Sequence, residues 1–493
     1  MKNSSFTTQK LLLAIMLWLT TAAASAQTNF QQTSPLLELD VHQAILLGVA
    51  KNYGIKINRL NPQFTALNIA IEQGDFEPNV FASYQQSQSE RFNSLTQNNR
   101  YASTTSSVGL QGIAPWGTRY KLAIEANKNE LNNSANFSSV IEVTQPLLKN
   151  FGLEPNYSNV VLAQKRTEIE RMRFSQQLMS LVQQIVNAYT SLYAAQLNLE
   201  VAQANRMLAE KTLEAEQKRV VIGKSADSAT LRPEVSLANR EDAVLIAEQE
   251  LRFKQNTLKS LIADSSAGLL SLELHAVGLP EAEQLNPNVA QDFQEALNNR
   301  PEYLEAKLTV SQQKIRVKRD QQQHNPNLDL VVRYQKIGIA EQNDFGAAFE
   351  SYQSTGLNSG YIGINFSMPL SMQSSKSRLS QSNIALQQDE LKLEQTAQNI
   401  LLALDTAAYA LAGNWRRLQA AEQAVALTQA SLDAEEKKMS VGRSNSFYIL
   451  DMQSRLANAQ RRKVDALTSY YISLVNYHKQ KGTILSHYQV AVN

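Results

Sequence analysis

The chain has 493 residues, no cysteine, and 47 basic against 45 acidic side chains, a formal net charge of +2. So even a balance excludes a nucleic-acid binder, which needs a clustered basic face. The missing cysteines exclude disulfide staples and thiolate metal sites. His42, His275, His324, His478 and His487 are scattered without metal-ligand spacing. No phosphate-cradling glycine loop occurs either. No cofactor is expected, and an enzyme is rejected.

The first 26 residues read as a signal peptide. Lys2 and Lys10 give a positive start, Leu11 to Leu19 an apolar stretch, and Ala24-Ser25-Ala26 a small-x-small cleavage site. Nothing after residue 26 has the roughly 20 consecutive apolar residues of a membrane-spanning helix. If the exported chain crosses a membrane, a closed β-barrel is the remaining way.

From residue 27 the chain is built twice. A helical stretch over 41–76 precedes a β region over 79–146, and helices over 153–222 and 227–262 complete a first unit ending at 263. A connector rich in Ser, Gly, Pro and Asn covers 264–299. The second unit, 300–482, has a helix over 301–324, a β region over 328–370, and helices over 373–441 and 446–481. A tail, 483–493, follows. Arithmetic supports the duplication. Asn52 and Arg300 open matching helices, 300 − 52 = 248, and Pro78 matches Pro326, 326 − 78 = 248. Gly223 matches Gly442, 442 − 223 = 219, and Leu237-Ala238-Asn239 matches Leu456-Ala457-Asn458 at the same offset.

The period changes inside each unit. Tyr120, Leu122, Ile124 and Ala126 alternate with Arg119, Lys121, Ala123 and Glu125. Ile362, Ile364, Phe366, Met368 and Leu370 alternate with Gly363, Asn365 and Ser367, and Leu328, Leu330, Val332 and Tyr334 form a partner strand. This is the pattern of strands with one apolar face, with polar loops at 91–103 and 338–358. The flanks step by three and four instead. Val182, Ile185, Tyr189, Leu192, Gln196 and Leu199 share their places, offset 219, with Leu401, Leu404, Ala408, Leu411, Trp415 and Leu418. Such a seam over about 70 residues is a coiled coil roughly 105 Å long. The shorter return helices reach that height if 41–76 and 301–324 stack on their ends.

Two clear strands per unit give about four per chain, too few to close a membrane barrel. The open edges require strands from further copies, arranged by cyclic symmetry. The first β region is longer, 146 − 78 = 68 residues against 369 − 326 = 43. Residues 104–113 and 117–127, around Ala114-Pro115-Trp116-Gly117, would make an additional hairpin and six strands. Four is the expectation, with the surplus in a long outer hairpin or loop.

Thr144-Gln145-Pro146-Leu147-Leu148-Lys149-Asn150-Phe151-Gly152, Asn299-Arg300-Pro301-Glu302 and the two valine- or isoleucine-glycine turns before Leu-Ala-Asn helices resemble the TolC-type outer-membrane efflux proteins. The resemblance covers essentially all of 36–482; each motif is short, and their order and duplication carry the match. It implies a mainly α fold with a β-barrel part: a homotrimer with a twelve-stranded barrel in outer-membrane lipid, continued by a periplasmic α-helical barrel. It implies an exit duct of a tripartite efflux pump, passing small molecules after docking to a periplasmic adaptor (membrane fusion) protein and an inner-membrane pump or ABC transporter. A type I protein secretion conduit is the alternative, and a periplasmic coiled-coil scaffold a third reading.

The resemblance also places residues. The turns Gly223-Lys224-Ser225 and Gly442-Arg443-Ser444 become the adaptor-docking tips, although glycine there also serves simply to end a helix. Family channels narrow near acidic residues six and nine positions after the second glycine. Here those positions are Tyr448 and Asp451, so one carboxylate is missing and the tyrosine is expected to narrow the aperture sterically. A solvated helical aspartate is the plainer reading of Asp451. Trp116, Tyr120, Tyr361 and Phe366 are candidates for an interfacial girdle.

Overall fold

The computed structural model describes residues 36–91, 99–131, 133–223, 225–263 and 272–491. The expected signal peptide and Lys224 lie outside the described residues. A short strand β1 (Leu36–Leu39) leads into helices α1 (Val41–Lys51) and α2 (Tyr53–Gly74). Strands β2 (Asn79–Arg91), β3 (Asn99–Ile113), β4 (Arg119–Asn129) and β5 (Ser134–Pro146) follow, then the long helix α3 (Leu153–Val221). A 3-10 turn (Asp227–Thr230) starts the return through α4 (Leu231–Ile262), and β6 (Glu273–Ala276) pairs in parallel with β1. The second unit comprises α5 (Val289–Asn299), α6 (Pro301–Gln323), β7 (Asn327–Glu341), α7 (Phe345–Ser354) and β8 (Leu357–Ser367). Helices α8 (Gln373–Ser440), α9 (Ser446–Lys481) and α10 (Ile484–His487) complete it.

Two expectations are corrected here. The expected helix over 41–76 is broken at Asn52, whose extended backbone ends α1 and whose side chain caps α2. More consequentially, the first unit contributes four strands rather than two. Among the described residues, β2-β3-β4-β5-β7-β8 form one continuous antiparallel sheet of six strands. Gly117, at φ +94°, makes the β3–β4 turn, and alternation runs through both flanking segments. The polar loop expected over 338–358 contains α7, which lies against β5 and β7. Tyr352 Oη donates to Ser139 Oγ at 2.9 Å, and Phe137 meets Phe349 edge-on at 5.0 Å.

Helix α3 has 69 residues and α8 has 68, about 100 Å each at 1.5 Å per residue. The seam residues Val182, Ile185, Tyr189, Leu192 and Gln196 are buried, as are Leu404, Ala408, Leu411 and Leu418; Leu199 and Trp415 are half-buried, and Leu401 lies on the surface. Helices α2 and α4 pack along α3, α9 and α6 pack between α3 and α8, and the four staves lie side by side. Near mid-height the β1–β6 ribbon and the connector are strapped to this layer by tyrosines. Tyr189 Oη donates to the Leu39 and Gly278 carbonyls at 3.0 and 2.8 Å, and Tyr470 and Tyr471 donate to the carbonyls of Glu283 and Pro280. Burial raises the pKa of all three phenols, keeping them neutral donors.

Candidate functional site: a channel wall and its tips

Residues directly opposite in an antiparallel sheet share a face, so the register assigns every side chain of the six strands. One face carries Val80, Ala82 and Tyr84 on β2, and Val108 and Leu110 on β3. It continues through Tyr120, Leu122 and Ile124 on β4, and Ile141 and Val143 on β5. Leu328, Leu330, Val332 and Tyr334 on β7 and Ile362, Ile364 and Phe366 on β8 complete it. Much of this face is open, with Val80 77% and Ile362 74% exposed. In water such a patch is untenable; in lipid it is the stable outer surface of a barrel.

The opposite face is polar and internally paired. Arg119 on β4 reaches Asp329 on β7 at 3.2 Å, Lys121 pairs with Glu125 at 3.1 Å, and Arg333 on β7 faces Glu142 on β5 at 4.0 Å. These pairs fit an aqueous lumen. Three of the four girdle candidates fit the outer side: Tyr120 and Phe366 lie on the apolar face, and Trp116 sits exposed at the β3–β4 turn. Tyr361 does not, because the register turns it to the polar face, where its ring covers Gly363.

At the far end the two hairpins share one turn chemistry. Gly223 and Gly442 have φ of +71° and +75°, the left-handed region that ends a helix without a Cβ penalty. The Gly442 amide donates to Met439 O and that of Arg443 to Lys438 O, at 3.0 and 2.9 Å. Ser225 Oγ donates to Glu216, and Ser444 Oγ to Glu435, both at 2.5 Å. The tip serines are therefore turned inward as braces. The Ser444 hydroxyl, followed by the Lys438 ammonium, holds the Glu435 carboxyl below the usual glutamate range. The glutamates were missed from sequence, yet the repeat contained them, since 435 − 216 = 219 and 444 − 225 = 219.

The other two candidates lie one or two turns beyond the second tip. Tyr448 is 52% exposed, its ring edge-on to Phe447 at 5.5 Å. Arg232 of α4 lies 5.4 Å from the Phe447 ring centre, linking the two hairpins. Asp451 is not a bare carboxylate: Arg455 Nε donates to its Oδ2 at 2.8 Å, one helical turn on. Among the described residues no group of His, Asp and Glu side chains could hold a metal, and no helix is long and apolar enough to cross a membrane.

A sheet with one apolar and one polar face, rooted on staves of about 100 Å, has the geometry of a wall segment of a membrane β-barrel. Residues 293–479 match the family described as Outer membrane efflux protein. The Outer membrane protein TolC of Salmonella enteritidis is 23% identical over 395 residues, covering 78% of this chain and 76% of that protein. Among solved structures, the outer-membrane channel OprN superposes with TM-score 0.69 at 15% identity, covering 90% of both chains. The Campylobacter jejuni CmeC outer membrane channel gives 0.66 at 12% identity, covering 90% of this chain and 86% of that one. Over most of its length the chain shares the fold of these outer-membrane channels, and residues 293–479 carry the likeness to the outer membrane efflux proteins.

Proposed function

We propose that three copies of this chain form a passive exit duct, which takes small molecules from a periplasmic adaptor and an inner-membrane pump and releases them outside the cell. The observation that carries this reading is the pair of unlike lateral edges. On one edge α2 exposes Ile57, Leu60, Phe64, Leu67 and Ile71, spaced by three and four. On the other, α8 exposes Ile384, Leu391, Leu402, Tyr409 and Leu427. These are coiled-coil stripes without a partner among the described residues. Helix α2 leads into edge strand β2, and edge strand β8 leads into α8. Joining α8–β8 of one copy to α2–β2 of the next covers both stripes and both open strand edges at once. Unlike edges close into a ring by head-to-tail contact, and the family likeness supports three.

The tips and the aperture follow from the same reading. Gly223 and Gly442 set the turns, and Lys224 and Arg443 offer the cations for adaptor docking, with Ser225 and Ser444 bracing the loop beneath them. Tyr448 narrows the bore beside the Asp451–Arg455 pair. The duct catalyses nothing; energy enters at the inner membrane.

The test is the native mass of detergent-extracted, unheated protein, with its conductance in a planar bilayer. A trimer with discrete channels supports the duct. A folded monomer that gives no channels, even after substitutions that loosen the tips, would favour the scaffold reading.

A further inference from the structure

We infer that the additional hairpin β3–β4 is part of the membrane wall, so that the trimer proposed above closes a barrel of eighteen strands with a wide, charge-lined bore. The alternative for these residues is an outer loop resting above the lipid. Three observations speak against that position.

The hairpin is bonded on both sides. Its thirteen-residue register with β2 and eleven-residue registers within itself and with β5 put it in the middle of the sheet, not at its rim. Its turn is at the periplasmic end. The Gly152 amide, in the link from β5 to α3, donates to Trp116 O at 3.2 Å, and a Cβ on Gly117 would collide with Asn150 O. A hairpin whose turn is tied to the base of the barrel traverses the whole wall height.

Its two faces also agree with those of its neighbours. Val108, Leu110, Tyr120, Leu122 and Ile124 fall on the apolar face, while Arg119, Lys121 and Glu125 fall on the polar one. The apolar positions of β4 span about 14 Å at roughly 3.4 Å per residue, and those of β7, Leu328 to Tyr334, about 20 Å. Both lie within the roughly 25 Å band of outer-membrane barrels. The lumenal charges, meanwhile, are shared between the hairpin and the second unit, as in Arg119–Asp329. An outer loop has no reason to keep either pattern in register.

Six strands per copy is an even number, so β8 runs opposite to β2 and the ring closes antiparallel. Barrel diameter grows roughly linearly with strand number, so eighteen strands give a bore about 1.5 times that of twelve, in the range of porins with aqueous channels. The outer-membrane part would then be wider than a twelve-stranded wall, leaving size selection to the helical end.

The chain has no cysteine, so single cysteines report directly. In reconstituted protein, Ser107→Cys and Glu125→Cys should react with a membrane-impermeant maleimide. Val108→Cys and Ile124→Cys should stay protected until detergent is added, as should Ile364→Cys beside a reactive Asn365→Cys on β8. Equal, fast labelling at 107, 108, 124 and 125, with alternation kept on β8, overturns the proposal. In a variant lacking 99–129, polyethylene glycols added from the extracellular side should be excluded at smaller size. An unchanged cut-off overturns the wide bore. Native mass separates the two readings: labelling that alternates in an assembly other than a trimer keeps the hairpin in the wall and sinks the subunit number.

Discussion

Asn52 joins two helices that the chain does not connect directly. Its Oδ1 accepts from the Ile55 amide at 3.2 Å, capping α2, while its Nδ2 donates to Leu261 O at 3.1 Å, at the end of α4. Arg300 performs the equivalent junction in the second unit, with Nη1 donating to Gln480 Oε1 at 2.6 Å. The positions keep the repeat offsets, 300 − 52 = 248 and 480 − 261 = 219. Each unit thus assembles a second stave from two shorter helices placed end to end. Asn52→Ala removes a cap and a buried bond, an expected loss of about 1–2 kcal/mol. Thermal unfolding followed by circular dichroism should show it, with Asn52→Asp, which keeps the cap alone, in between.

At the tips, Ser444→Ala should leave global stability nearly unchanged but free the Glu435 carboxylate. Its pKa, read by carbon-13 NMR, should rise toward the ordinary glutamate value. Proteolytic nicking at 441–446 should become faster, because the brace across the turn is gone. Unaltered nicking would mean that Gly442 and the backbone bonds alone hold the tip.

Asp451→Ala and Arg455→Ala should act in opposite directions on charge selectivity if the pair lines the aperture. Removing the carboxylate leaves an uncompensated guanidinium and should shift the reversal potential in a salt gradient toward anion preference. Removing the arginine should strengthen cation preference, since rings of carboxylates select by local field. Identical reversal potentials in wild type and both variants would place the pair away from the constriction.

Acid should loosen the mid-height belt. The His478 ring stacks on His487 at 4.0 Å, and burial, then the neighbouring His487 and Lys481, push its pKa down to about 4. Its folded value lies below the unfolded value of about 6.5. The associated stability is therefore full above pH about 6.5 and is lost as pH falls toward 4, at most roughly 3 kcal/mol. Melting temperature against pH should fall through that window, and His478→Gln should flatten the curve.

Gly338 has no room for a side chain: an added Cβ would overlap the backbone of Ala348 and Tyr352 in α7. Gly338→Val should detach α7 from β5 and β7 while leaving the sheet register intact. Faster hydrogen exchange confined to 345–354 would be the expected readout.

The duplication, the long seams, the strand alternation and the tip glycines were legible in the sequence. Periodicity and left-handed turns are properties of neighbouring residues, and a 219-residue offset survives without contacts. Tyr189, Leu192, Leu404 and Leu411 went where their spacing sent them. The strand count was decided otherwise. Segments 104–113 and 117–127 alternate in sequence, but alternation does not say which strands lie beside them. Only pairing with β2 and β5, and the bond from Gly152 to Trp116, places them inside the sheet. Likewise, Asp451 and Ser444 were singled out by their places after Gly442, through the family resemblance. Their partners, Arg455 one turn on and Glu435 across a reversed chain, depend on helix phase and on the turn, and they determine how much charge either position presents.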